Sequence, residues 1–117
     1  MYPSPQTTAL LLAVMLKRAG KTRARISEKT LRQVARRKTL RDAFVSEVHD
    51  RLEDFGIVGV SLERGGYAVV AISALEGAPV VTAREHLVVE LKAQKDGKLS
   101  ESKLWSELGL EYEDDAE

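Results

Sequence analysis

Residues 39–73 read TLRDAFVSEVHDRLEDFGIVGVSLERGGYAVVAIS, and the period of the apolar residues changes halfway through. Leu40, Phe44, Val48, Leu52 and Phe55 recur at steps of four, four, four and three, which lays one apolar stripe along a helix. Thr39 and Asp42 have the form of a capping box, with Asp in place of the usual Glu, so the helix is expected to start at Thr39. Gly56 is its stop. Beyond it, Ile57–Leu62 and Tyr67–Ser73 are rich in β-branched residues and are joined by Glu63-Arg64-Gly65-Gly66. A Gly-Gly pair between two such runs predicts a β-hairpin, because tight hairpin turns need positive φ.

Working toward the N-terminus, Ser27 is a good N-cap for a second helix, with Glu28 in its first turn and Leu31, Val34 and Ala35 at helical spacing. Lys21–Arg25 reads as a basic connector. Gln6–Ala19 reads as a helix whose apolar residues are dense enough for a central position, closed by Gly20 and with Lys17 and Arg18 in its last turn. Residues 1–5 form a short lead with prolines at 3 and 5.

Toward the C-terminus, Thr82-Ala-Arg-Glu85 is a capping box for a helix running to Lys95, with Gly97 as its stop. Val88, Val89 and Leu91 suit a strand equally well, and the signed ends favour the helix. Ser100 is expected to cap a last short helix through Leu108. The organisation expected is therefore α+β and mainly helical: a domain over 6–78, a helical extension over 79–110, and an acidic tail over 111–117.

Composition narrows the function. The chain has 117 residues, one domain's worth, and no cysteine, which excludes disulfides, thiolate metal sites and cysteine nucleophiles and suits the cytoplasm. His49 and His86 are too far apart to suggest a metal motif, and neither a metal nor another cofactor is expected. The longest apolar run, Ala9–Leu16, is about half of a membrane span, so no membrane partner is expected. Aromatics make up 5%, too few for a sugar-binding face or an extended single-strand stacking surface. The formal net charge of zero hides an asymmetry. Between Lys17 and Arg41 lie eleven basic side chains and one acidic one, Glu28, whereas acidic residues dominate beyond Arg41. Such asymmetry suggests a nucleic-acid or membrane face, or pairing with the acidic half of the same chain or of a partner subunit, and nucleic-acid contact is the reading favoured.

The order of three helices and a hairpin over 6–73 resembles the winged-helix fold of prokaryotic transcription regulators. The residues that carry the resemblance are Val48-His-Asp-Arg-Leu-Glu-Asp-Phe-Gly-Ile-Val58 leading into Gly65-Gly66-Tyr67-Ala68-Val69. No single family within that superfamily is indicated. The resemblance implies that the third helix enters the DNA major groove with its N-terminal residues, here Thr39, Arg41, Asp42, Val45 and Ser46, with His49 one turn on. Arg41 suits a guanine or a phosphate. Asp42, Glu47, Asp50, Glu53 and Asp54 do not suit a duplex and weigh against sequence-specific reading.

The DNA-contacting residues expected are Lys21, Arg23, Arg25, Arg36, Arg37, Lys38, Thr39, Arg41 and Ser46, with Arg64 at the wing tip. The function expected is a small transcriptional regulator or accessory factor on double-stranded DNA, not an enzyme. Leu87, Val88 and Leu91 are expected to form a homodimer strip, which would set two basic faces side by side for a palindromic site. Two other readings stay open. One is a protein-interaction module on the same scaffold. The other rests on Glu90-Leu91-Lys92, which has the form of the Glu-x-Lys element of metal-dependent restriction-type nucleases, with Glu76 as the second carboxylate. On a helix, however, Glu90 and Lys92 diverge.

Overall fold

The computed structural model describes residues 2–111, and of the acidic tail only Glu111 falls within them. The chain is α+β and more than half helical. It divides into two compact units between Ala78 and Pro79.

The first unit runs α1 (Pro5–Ala19), β1 (Arg23–Ile26), α2 (Glu28–Ala35), α3 (Asp42–Leu52), β2 (Ile57–Ser61), β3 (Tyr67–Ala71) and α4 (Ile72–Glu76). Ser4 and Ser27 cap α1 and α2, their hydroxyls accepting from the backbone N–H of Thr7 and Thr30 at 3.1 Å. Three residues of the expected basic connector, with Ile26, form strand β1, which pairs antiparallel with β3, Arg23 opposite Val70 and Ile26 opposite Tyr67. The sheet order is β1-β3-β2, so the hairpin's second strand is central. The hairpin turn closes through Leu62 and Gly66, with φ of 95° at Gly65 and 80° at Gly66. A β-carbon at Gly66 would also stand 3.0 Å from the Ile26 carbonyl oxygen, so this turn admits little besides glycine.

Several boundaries differ from the sequence expectation. Helix α3 starts at Asp42, with Arg41 in the cap position and no side-chain cap; Thr39 lies outside the helix. A 3-10 turn over Glu53–Phe55 follows Leu52, so Leu40 and Phe55 flank the helix instead of completing its stripe. The returning strand ends at Ala71, and Ile72 and Ser73 open α4.

The core is Ala9, Leu12 and Leu16 of α1, Ile26 of β1, Leu31 and Ala35 of α2, Phe44, Val45, Val48 and Leu52 of α3, Ile57 of β2 and Val69 of β3. Gly59 lets β2 lie close to α3: a β-carbon there would come within 2.9 Å of both the His49 ring and a Leu52 methyl.

The second unit contains α5 (Ala83–His86), α6 (Val88–Lys95) and α7 (Glu101–Glu107). The expected helix from Ala83 to Lys95 is thus two helices, broken at Leu87, whose backbone (φ −126°, ψ 31°) is not helical. Thr82 caps α5 by accepting from Glu85 N–H at 3.4 Å. The β-branched pair Val88-Val89 just after the break is a poor continuation signal for a helix. Ser100 precedes α7 without capping it; its hydroxyl lies 3.1 Å from that of Ser102. None of this unit's described residues is buried.

Candidate nucleic-acid interface

Helix α2 presents Lys29, Arg32, Gln33 and Arg36 at three- and four-residue spacing, so they share one face. The chain then turns sharply. Arg36, at the C-cap, takes the left-handed conformation (φ 54°, ψ 43°), and its N–H and that of Arg37 return to carbonyls of the last helical turn. This brings Arg37 and Lys38 back alongside the helix face. Together with Tyr2 these residues line an open groove of about 610 Å³. Five of the seven lining side chains are cationic and none is a carboxylate. Arg32 is partly occupied by Glu28, 3.6 Å away.

The expected contact residues line several different hollows. Arg36, Arg37 and Lys38 meet in this groove, and Lys38 and Thr39 also border an adjoining hollow with Glu28, Arg32, Asp42 and Tyr67. Arg23 and Arg25 alternate outward on β1, and Arg25 lines a separate hollow at the hairpin root with Leu62, Gly65 and Gly66. Lys21 sits with Lys17 beside Phe55 and Ile57. Arg41, Ser46 and Arg64 are exposed. The sequence reading missed Lys29, Arg32, Gln33 and Tyr2 as groove residues. The helical spacing of 29, 32, 33 and 36 was the signal available for three of them.

Three expectations are corrected here. Arg37 is no freely exposed cation: its guanidinium lies 4.0 Å from the Phe44 ring centroid and 5.9 Å from that of Tyr2, and its Nε is sealed without a hydrogen-bond partner. An alanine at this position would therefore remove packing as well as charge. Val45 is packed into the core and, although it borders the hollow beside Lys38 and Thr39, offers almost no surface to a groove. His49 does not face outward either. It is half-buried, with its ring edge-on to Tyr67 at 5.9 Å.

The exposed side of α3 and its following turn carries Asp42, Glu47, Asp50, Glu53 and Asp54. Its one guanidinium, Arg51, lies 4.0 Å from Glu47 and 3.9 Å from Asp54. That face is acidic, and the cations lie on α2, β1 and the loop before α3. Among the described residues no cluster of His, Cys, Asp or Glu has the arrangement of a metal site, and Glu90 and Lys92 lie on helix α6. No helix among them is long and apolar enough to cross a membrane.

Burial shifts two groups. It raises the Tyr67 hydroxyl above its usual value, with the Glu28 charge adding to the effect. It lowers His49 below 6.5, against a smaller opposing pull from Asp50. A depressed histidine binds more protons unfolded than folded, so its contribution is complete above the unfolded value near 6.5 and is lost as pH falls through the window below it. Urea midpoints measured between about pH 7.5 and 5.5 should therefore fall more in the wild type than in His49→Phe, which keeps the ring but does not titrate. Equal declines would show that burial of His49 is not felt by folding.

No protein family, curated protein or solved structure matches the chain.

Proposed function

We propose that this protein binds double-stranded DNA in the cytoplasm as a small regulatory or accessory factor built on a winged-helix frame. The observation that carries the reading is the groove of five cations without a lining carboxylate. Three helices followed by a hairpin agree with the winged-helix resemblance. The acidic face of α3 alters the mode of contact. Carboxylates against a duplex cost affinity, so the α2 groove and Arg41 grip phosphates, and base reading is confined to the exposed start of α3 around Ser46. The expected result is weak sequence preference with strong salt dependence. A titration of random duplex should give a slope of log affinity against log salt of about −3 to −4, at about 0.9 per phosphate contact. An absence of binding at low salt overturns the reading.

A second reading is favoured by the unit beyond Ala78, none of whose described residues is buried. Leu87, Val88 and Leu91 are 44%, 65% and 44% exposed there. Apolar surface of this kind is normally covered by a partner, and a second copy of the chain is the partner proposed. Leu91→Glu should then move sedimentation velocity from dimer to monomer while leaving the first unit folded. A wild type that sediments as a monomer at high micromolar concentration removes the dimer.

A further inference from the structure

Two features of the α2 groove go beyond what a continuous duplex backbone requires. The first is Arg36. Among the described residues it is the one non-glycine residue with positive φ. The position after a helix is where glycine closes the backbone without steric cost, and an arginine there carries strain. Strained residues persist where the side chain does something a relaxed residue would not, and this side chain lines the groove.

The second is Tyr2. The residue is 68% exposed, yet it borders the groove and its ring centroid lies 5.9 Å from the Arg37 guanidinium. Arg37 is in turn held on the Phe44 ring, with its Nε shut away from solvent. The Tyr2 ring thus faces a guanidinium that is itself held on the core, and the residue remains open to solvent. Gln33 beside it offers both a donor and an acceptor. Cations for a phosphate, a flat aromatic for a base and an amide for a base edge lie together in a groove of nucleotide-binding size.

We propose that the groove seats one unpaired nucleotide at a DNA end or junction, with its phosphate on Lys29, Arg36 and Lys38 and its base stacked on Tyr2. This rests on the DNA-binding reading above and names the preferred form of DNA. One aromatic platform limits the preference to a single nucleotide, consistent with a chain too poor in aromatics to bind a long single strand.

The test compares the full chain on a blunt duplex and on the same duplex with a one-nucleotide overhang carrying 2-aminopurine. The overhang should bind about tenfold tighter, within the range of one base–aromatic stack, and its fluorescence should be quenched on binding. Tyr2→Phe should keep both effects. Tyr2→Ala should bring the ratio of the two affinities to about one and abolish the quench. Arg36→Gly should weaken overhang binding while raising the thermal midpoint by about 3 °C, because it removes the backbone strain. Opposite signs in those two readouts mark a side chain kept for binding. Equal wild-type affinity for blunt and overhang duplexes overturns this inference and leaves duplex binding standing. A failure to bind either duplex at low salt overturns the DNA reading itself. A lowered midpoint in Arg36→Gly overturns the argument from strain.

Discussion

Leu52→Ala is expected to destabilise the first unit by about 3 to 4 kcal/mol, within the usual range for a leucine truncated in a closed core. Leu52 is fully buried at the end of α3. It shares the wall of a small void with Leu12, Ile26, Leu31, Val48, His49, Tyr67 and Val69, so α1, α2, α3, β1 and β3 all converge on it. The void is about 10 Å³, at the threshold for one water, so these walls have little slack. On the other side, β2 approaches closely enough that Gly59 cannot carry a β-carbon without meeting the Leu52 methyl. Elements held from so many directions do not collapse easily into the space an alanine would leave. A small domain has about 5 to 15 kcal/mol in total, so the loss is a large fraction of it. Urea unfolding followed by far-ultraviolet circular dichroism measures it. The midpoint should fall with the m-value unchanged. Leu10→Ala on the exposed side of α1 is the control, with an expected loss below about 1 kcal/mol. Similar losses in the two variants would mean that the core is not packed around Leu52.

The second large effect is on DNA. Lys29→Ala, Arg36→Gly and Lys38→Ala together should flatten the salt slope by close to three units and cost on the order of a few hundredfold in affinity at about 0.1 M salt. The magnitude follows from counterion release, which at that salt is worth nearly one decade per phosphate neutralised. Arg37 is left in place because its loss from the Phe44 ring would confound folding with binding. Arg32 is left because Glu28 already draws on its charge. Glycine at position 36 accepts the left-handed backbone that an alanine would strain. A triple variant with wild-type affinity and slope would show that the duplex does not lie over this groove. If Arg23 and Arg25 of β1 instead carried the contact, replacing those two would move the slope and replacing the groove residues would not.

The features legible in the sequence are those with local causes. The Ser27 cap and the Gly65-Gly66 turn act within four residues and are present as expected, and Thr82 caps its helix too, although that helix ends at His86. The change from a helical to an alternating period after Gly56 likewise placed the hairpin in the chain, and the run of cations from Lys17 to Arg41 marked the charged segment.

The rest was decided by tertiary structure, because its partners are remote in sequence. Arg-Ala-Arg-Ile over 23–26 is too short and too basic to declare a strand. It becomes one because β3, more than forty residues later, supplies its hydrogen-bond partners and a buried place for Ile26. Arg36, Arg37 and Lys38 look alike as letters. The left-handed turn at Arg36 separates them, sending Arg37 onto Phe44 and leaving Arg36 and Lys38 exposed beside Lys29. Val45 and Ser46 are neighbours on α3, yet the first is buried in the core and the second is exposed. Local chemistry sets where a helix or turn begins and ends. Which of its side chains meets solvent depends on what packs against it, and in this chain that determines which cations are free to hold a phosphate.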